Sequence, residues 1–260
     1  MKAVFIGTGE AFDENHPNNS HLVISGNRAI MLDCGDPSVH QLWRYQARNN
    51  LDFNFLDGVY ITHNHSDHFF GLPALVSRMY EEKRTKPFTI FCANSIKKDI
   101  INIMQYAYQG METPFGFLVS LNGIEPGETF DFKGLKLSFA ETQHSKRNIA
   151  IKVSDGKQSI CYSGDGTPTE KAIEMYRGSD LVIHEAYLYD EKVIGHGCIV
   201  DLIEMARKNN IAAIALTHLK RVYRRDIQGM RELESVIAKE NESGRPRILL
   251  PNPLDEYEFS

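Results

Sequence analysis

Four side chains of the kind that bind metal ions in proteins lie close together in the segment 58–68: His63, His65, Asp67 and His68. Neutral imidazoles suit zinc, iron and related transition ions, and a carboxylate adds charge and can serve a second ion. Their alternating spacing fits neither one helix face nor a buried strand, so the pattern predicts a loop that gathers these side chains around an ion. The alternative interpretation is a solvated, histidine-rich turn.

Further ligands for such a site are expected at strand ends, where open sheets place their chemistry. Three residues each follow a predicted strand: His144, Asp165 and His218. Any one of them alone is more often a hydrogen-bonded structural residue. Their joint occurrence behind the first motif favours a dinuclear metal site instead.

The elements that must position these residues follow from the hydrophobic pattern. Short β-branched or aromatic runs predict strands at 2–7, 21–25, 28–33, 58–62, 88–92, 135–140, 149–153, 158–162, 181–184, 212–217 and 247–250. Segments of helical period predict helices near 37–48, 70–82, 95–106, 168–177, 198–209 and 226–240. The alternation predicts an α/β (α+β) fold. An Asp-Gly turn between two neighbouring strands indicates a hairpin, so the sheets should be mixed.

The composition of the 260-residue chain, 42% hydrophobic and 24% charged, predicts one domain spanning residues 1–260. The apolar run at 2–7 is too short for a signal peptide, and later runs are too short to cross a membrane. We therefore expect a cytoplasmic protein without a membrane partner. Four scattered cysteines without a Cys-x-x-Cys pair argue against a disulfide framework and a cysteine-ligated zinc site.

The formal net charge of −5 argues against broad, charge-driven binding of nucleic acid. Two local basic clusters, at 83–86 and 221–225, could still hold a phosphate group. Four basic residues are candidates for gripping a small anionic substrate, with solvated surface positions as the alternative: Lys146, Arg147, Lys220 and Arg224.

Several motifs along nearly the whole chain resemble the metallo-β-lactamase superfamily and, within it, the ribonuclease Z-like branch. They are Gly7-Thr8-Gly9-Glu10-Ala11, Leu32-Asp33-Cys34-Gly35-Asp36, Thr62 to His68, Ser163-Gly164-Asp165, His184-Glu185-Ala186-Tyr187, Gly195-His196-Gly197 and Leu216-Thr217-His218. The resemblance implies a four-layer αββα sandwich with mixed sheets. It also implies a metal centre at one edge of the paired sheets.

The same resemblance implies a role for each site residue. One divalent ion would be held by His63, His65 and His144. The other would be held by Asp67, His68 and His218, with Asp165 bridging the two. The ions would most often be zinc, with manganese or iron as alternatives. His196 resembles the family's acid histidine, Glu185 resembles the carboxylate that fixes its tautomer, and Asp67 would orient the nucleophile.

These observations predict a dinuclear metal-dependent hydrolase, a phosphodiesterase acting on small or nucleotide-derived substrates. A ribonuclease Z-type tRNA 3′ endonuclease is an alternative, but the short interval between His144 and Asp165 leaves no room for the tRNA-binding arm of the resembled enzymes. Lactone, carboxylic-ester or sulfate-ester hydrolysis would suit the same site. A non-catalytic nucleic-acid-binding member is a further alternative. The aromatic segment 106–117 has three interpretations: a lid over the metals, core packing or a homodimer surface.

Overall fold

Two β-sheets form the centre of the structure, a computed structural model that describes residues 1–108 and 116–259. The strands of the first sheet are β1 (Lys2–Gly7), β2 (Ser20–Ser25), β3 (Arg28–Leu32), β4 (Gly58–Ile61), β5 (Phe88–Ala93), β6 (Val119–Ile124) and β15 (Glu256–Glu258). They lie in the order β15-β1-β2-β3-β4-β5-β6. This sheet is mixed, because β3, β4, β5 and β6 run parallel to one another, whereas β2 pairs antiparallel with β1 and β3, and β15 pairs antiparallel with β1.

The second sheet is also mixed. Its strands are β7 (Thr129–Phe132), β8 (Leu135–Gln143), β9 (Asn148–Ser154), β10 (Ser159–Tyr162), β11 (Thr167–Pro168), β12 (Leu181–Glu185), β13 (Ala213–Thr217) and β14 (Arg247–Leu249). Their order is β11-β8-β9-β10-β12-β13-β14, and β7 pairs with β8. The predicted hairpin is formed by β9 and β10, which pair antiparallel.

Helices cover the outer face of each sheet. The α-helices of the described residues are α1 (Asp36–Arg48), α2 (Ser66–Phe69), α3 (Leu72–Glu81), α4 (Lys97–Ala107), α5 (Glu170–Tyr176), α6 (Ile199–Lys208), α7 (Val222–Arg225) and α8 (Ile227–Glu242). Apolar residues of α1, α3 and α4 pack with the first sheet. Those of α5, α6 and α8 pack against the second. The layers therefore follow the predicted αββα order, and the predicted fold class is confirmed.

The sheets pack face to face because their strands carry apolar residues on both sides. In β12, Leu181 and Ile183 join the core between the sheets, whereas Val182 faces the helices. Strands buried on both faces are expected to be continuous apolar runs, as this one is. Between the sheets the rings of Tyr60 and Phe139 lie 5.5 Å apart.

The carboxyl ends of the site-bearing strands lie at one edge of the sandwich. Strands β10, β12 and β13 are parallel, and β8 shares their direction because β9 pairs antiparallel with both β8 and β10. At this edge the two sheets are joined directly. The Tyr60 hydroxyl donates to the Ile149 carbonyl at 2.6 Å, and the Ile149 amide donates to the Thr62 carbonyl at 3.2 Å.

Among the described residues, five elements lie outside the predicted strands and helices: β6, β7, β15, α2 and α7; a sixth, β11, includes Pro168, where a helix was predicted to begin. The strands are short or polar, and they lie at sheet edges, where one side lacks a neighbour and the apolar pattern is weak. Of the aromatic segment 106–117, residues 109–115 lie outside the described residues. At its margins Tyr106 is exposed and Phe117 is buried. In the part of the chain that the structure describes, no helix has the length and apolar character needed to cross a membrane.

Candidate metal centre

A buried carboxylate, Asp33, organises the start of the metal motif. Its Oδ1 accepts a hydrogen bond from the Thr62 amide, and its Oδ2 accepts from the hydroxyls of Thr62 and Tyr162, all at 2.8 Å. The Oδ2 atom also accepts from Nδ1 of His68 at 2.6 Å. Since the Thr62 hydroxyl donates to Asp33, it accepts from Nδ1 of His63 at 3.0 Å. Both histidines are thereby held by Nδ1 and direct Nε2 toward the other motif residues, the arrangement that hydrogen-bonded metal ligands usually show.

The motif residues are divided between two local structures. His63 and His65 lie in the segment between β4 and α2, as predicted. Asp67 and His68 instead lie on the single helical turn of α2, so the prediction of one continuous loop is wrong in this detail. Asp67 stands in the first turn, where a negative charge is favoured by the unpaired helical amides.

The first cluster brings together nitrogens from distant parts of the chain. Nε2 of His63 and Nε2 of His144 lie 3.0 Å and 3.2 Å from Nδ1 of His65. Both Nε2 atoms also lie within 4 Å of Oδ2 of Asp165, at 3.9 Å and 3.8 Å. His144 is oriented by its other nitrogen, which donates to the Gly195 carbonyl at 2.9 Å.

The second cluster uses the other oxygen of the same carboxylate. Oδ1 of Asp165 lies 3.3 Å from Nε2 of His68 and 3.5 Å from Nε2 of His218. Asp67 contributes Oδ2, which lies 3.2 Å and 3.6 Å from the same two nitrogens. Asp165 therefore faces one cluster with each oxygen.

The two clusters fit metal ions. In each cluster, one candidate ligand atom from every member lies within 4.8 Å of the others. Three of these atoms are buried without a hydrogen-bond partner: His68 Nε2, Asp165 Oδ1 and His218 Nε2. Buried polar atoms are normally paired, and a bound ion would satisfy all three of these atoms. The structure thus brings together all seven predicted ligands.

The electrostatics of the clusters suit metal binding. Burial, together with the nearby charge of His68, lowers the pKa of His63 well below its usual value, which keeps the ring neutral. Burial opposes ionisation of Asp165, but the charges of His218 and His68 outweigh it and lower the pKa of that carboxyl well below its usual range. Burial likewise opposes charge on His218, yet the neighbouring carboxylates raise its pKa to about 9. An ion would therefore displace a proton from His218 at neutral pH.

His196 lies beside the clusters and is held by a buried carboxylate. Its Nδ1 donates to Oε1 of Glu185 at 3.1 Å, and its ring stacks on Tyr187 with centroids 4.5 Å apart. The same Oε1 accepts from the amides of Gly166 and Gly197 at 2.8 Å and 3.1 Å. Burial lowers the pKa of His196, but the hydrogen bond to Glu185 and its charge outweigh burial, and the net shift is upward.

A cleft of about 440 Å³ opens onto both clusters. Besides the candidate ligands and His196, it is lined by Glu10, Phe12, Tyr187 and Arg221. Phe12 and the pairing of Arg221 with Glu10 were not signalled by the sequence. Glu10 and Tyr187 stand in motifs that carry the family resemblance, and the basic character of 221–225 pointed to Arg221.

The four basic residues considered as substrate contacts have other environments. Arg147 pairs with Glu125 and Glu141. Arg224 is nearly buried beside Asp13, 3.3 Å from its carboxylate. Lys220 lies over the Tyr187 ring, and Lys146 is exposed outside the cleft lining. None of the four lines the cleft.

Comparison with known proteins shows the family to which this architecture belongs. The family described as Anti-Pycsar protein Apyc1 matches residues 1–241. The chain belongs to this family. The Apyc1-family chain is also 21% identical to ribonuclease Z of Archaeoglobus fulgidus, over 89% of this chain and 91% of that protein.

Two solved structures share the fold of this Apyc1-family protein. The short form of human tRNase Z has a TM-score of 0.78 at 20% identity, with 99% of each chain covered. A diphosphatase from the PhnP family has a TM-score of 0.72 at 14% identity, covering 100% of this chain and 98% of that one. The resemblance to the ribonuclease Z-like branch of the metallo-β-lactamase superfamily is thereby confirmed. With its two ligand clusters, the chain is a metal-dependent hydrolase of this fold.

Proposed function

We propose that the protein is a dinuclear metal-dependent phosphodiesterase acting on small, nucleotide-derived substrates. The observation that carries the proposal is the position of Asp165, which presents one oxygen to each of two buried histidine clusters. A carboxylate in this position suits two ions held side by side. Such ions, proposed to be zinc with manganese or iron as alternatives, would lower the pKa of the attacking water and neutralise charge on the phosphodiester.

The proposed ligand assignment follows the two clusters. The first ion would be held by His63, His65 and His144, and the second by Asp67, His68 and His218. Asp165 would be shared by both. Asp67 has a second proposed role in orienting the nucleophile, because it lies at the cleft surface.

The leaving oxygen needs a proton, and His196 is the proposed donor. It lies on the cleft wall with one nitrogen bound to Glu185. That hydrogen bond fixes which nitrogen faces Glu185, so the other nitrogen is the one that delivers a proton. Glu185 is the proposed positioning residue, since its charge favours the protonated form of the ring.

Two features support a small substrate over folded tRNA. The interval between His144 and Asp165 consists of the hairpin β9–β10, so it contains no protruding arm. The cleft itself, about 440 Å³, is of the size that holds one small ligand. Cleavage of tRNA is the second candidate, because the ribonuclease Z relatives match over nearly the whole chain. Lactone, carboxylic-ester and sulfate-ester hydrolysis are the remaining enzymatic alternatives.

A panel of substrates tests the proposal. Zinc-, manganese- and iron-loaded protein is assayed against bis(p-nitrophenyl) phosphate, purine and pyrimidine cyclic nucleotides, a tRNA precursor, lactones and aryl sulfates. We expect turnover of the cyclic nucleotides, with Asp165→Ala as the inactive control. Preferential cleavage of the tRNA precursor or of the carbon and sulfate esters would overturn the assignment. Absence of turnover on every class would favour a non-catalytic role.

Three further assignments belong to the same proposal. The first is the anti-Pycsar role from which the family takes its name, tested by expressing the chain and its Asp165→Ala variant in cells that carry a Pycsar system.

The second is a cytoplasmic location, supported by four buried cysteines without disulfide bonds. The third is a homodimer, supported by two exposed apolar side chains, Tyr106 and Leu118. Light scattering of the purified protein measures its mass in solution.

A further inference from the structure

Phe12 is an exposed aromatic side chain on the wall of the metal cleft. The residue is 75% exposed, and it lines the same cleft as the histidine clusters. Single exposed apolar residues are common on protein surfaces. This one differs because it lines the cleft and its backbone amide is bound by a buried carboxylate.

Glu10 holds both Phe12 and an arginine in place. Its Oε2 accepts a hydrogen bond from the Phe12 amide at 3.0 Å, and its Oε1 pairs with Nη1 of Arg221 at 2.6 Å. Glu10 itself is only 3% exposed. One buried carboxylate therefore holds the Phe12 backbone and the Arg221 guanidinium next to each other.

The arginine lies against the aromatic ring. The guanidinium carbon of Arg221 is 5.6 Å from the centroid of the Phe12 ring, a cation–π distance. The Arg221 side chain is 33% exposed, so donors remain available to a ligand. An aromatic face beside a planar, multi-donor cation is the combination that binds nucleic acid bases by stacking and hydrogen bonding.

We propose that Phe12 and Arg221 form the base-binding wall of the cleft, where the nucleobase of the substrate stacks on Phe12 while its phosphodiester faces the two metal clusters. This inference rests on the proposed phosphodiesterase function and identifies the substrates as nucleotides with an intact base. Arg221 donates to base carbonyl oxygens or ring nitrogens. Stacking tolerates every base, so purine and pyrimidine nucleotides both bind, and Arg221 biases the choice between them.

A pair of substrates separates base binding from phosphodiester chemistry. The metal-loaded enzyme is assayed with a 3′,5′-cyclic nucleotide and with the abasic 3′,5′-cyclic ribose phosphate. For Phe12→Ala we expect kcat/KM on the nucleotide to fall roughly 10- to 100-fold, the loss typical of one stacked base. The value on the abasic compound stays within about twofold of wild type, since that compound has no base to stack.

Two further substitutions of Phe12, one of Arg221 and one surface control test whether the ring and the guanidinium bind the base. Phe12→Tyr keeps the ring and retains activity on the nucleotide, whereas Phe12→Leu keeps only apolar character and behaves like Phe12→Ala. Arg221→Ala lowers kcat/KM on the nucleotide and changes the ratio between purine and pyrimidine substrates. Ile227→Ala removes an exposed apolar side chain outside the cleft and leaves both substrates unaffected.

The outcomes separate failure of this inference from failure of the proposed function. If wild-type enzyme hydrolyses neither compound, the phosphodiesterase proposal fails and the wall fails with it. If wild-type enzyme hydrolyses both and Phe12→Ala lowers both equally, the proposed function stands and the base-binding wall is overturned. Equal activity of Phe12→Leu and Phe12→Tyr on the nucleotide would also overturn it.

Discussion

Nδ1 of His68 donates to Oδ2 of Asp33 at 2.6 Å, so the other ring nitrogen is directed at the carboxylates of the second cluster. Asp33 does not face the cluster itself. It acts by fixing the tautomer and orientation of His68. Carboxylates in this position typically contribute a factor of roughly 10 to 100 in metal affinity.

Asp33→Asn is therefore expected to weaken binding of one ion about 10- to 100-fold. The neutral amide no longer provides a negative charge for the proton that Nδ1 of His68 donates. Isothermal titration calorimetry measures the affinity of each site. Asp57→Asn is the matched control: Asp57 is a buried aspartate that accepts from the Ala29 amide, away from both clusters. Equal loss of affinity in the two variants would indicate general destabilisation.

Asp165→Ala and His196→Ala should separate metal binding from proton transfer. The first removes the carboxylate that faces both clusters, so metal content and turnover are lost together. The second retains metal and lowers kcat about 10²- to 10⁴-fold, the usual contribution of a positioned acid. Metal content is measured by elemental analysis beside the kinetic assay. Equal metal loss in both variants would remove the proposed role of His196.

Glu185→Gln should shift the alkaline limb of the pH–kcat profile to lower pH. The charge and hydrogen bond of Glu185 raise the pKa of His196, so neutralising the carboxylate lowers that pKa and the acid form is lost sooner as pH rises. Glutamine can still accept from the amides of Gly166 and Gly197, which preserves the local fold. An alkaline limb that does not move would show that another group donates the proton.

Metal binding should release protons near neutral pH. In the metal-free protein the neighbouring carboxylates raise the pKa of His218 to about 9, so the ring is protonated at pH 7.5 and must lose that proton to bind an ion. Affinity is expected to fall as pH falls below about 9. Titration calorimetry in two buffers of different ionisation enthalpy counts the protons released. A buffer-independent heat would contradict the prediction.

His16 should contribute to acid sensitivity independently of metal. Its Nδ1 lies 2.7 Å from the Thr8 hydroxyl, and burial together with the charge of Arg224 lowers its pKa to about 4. The unfolded chain, with a histidine pKa near 6.5, binds more protons between these values. Stability is therefore expected to decline as pH falls from about 6.5 to about 4. Urea unfolding of the EDTA-treated protein should show a shallower decline for His16→Gln.

The positions of the ligands were predictable because each follows an apolar strand. The strands before His63, Asp165 and His218 are buried on both faces, and such runs are visible in the sequence. The ligands lie at a common edge because parallel strands end on the same side of a sheet, and the residues that follow them meet there. Roles carried over from the resembled family depend on the same order of strands.

Other features depend on contacts between distant residues that no local pattern records. Glu10 and Arg221 are 211 positions apart, and Asp33 reaches His68 across 35. The edge strand β15 consists of Glu256, Tyr257 and Glu258, which alone would suit a polar loop. It forms because the backbone of β1 offers unpaired groups at the sheet edge. The helical turn at Asp67 likewise cannot be read from ligand spacing.

The direct junction between the sheets at Tyr60, Thr62 and Ile149 has a consequence for assembly of the molecule. Each cluster draws ligands from the ends of both sheets, so an ion bound in either one would cross-link the early half of the chain, which carries His63 to His68, to the late half, which carries His144, Asp165 and His218. The early half cannot complete a coordination sphere until the late half has docked. Metal capture should therefore belong to the last stage of folding, after the two halves have met.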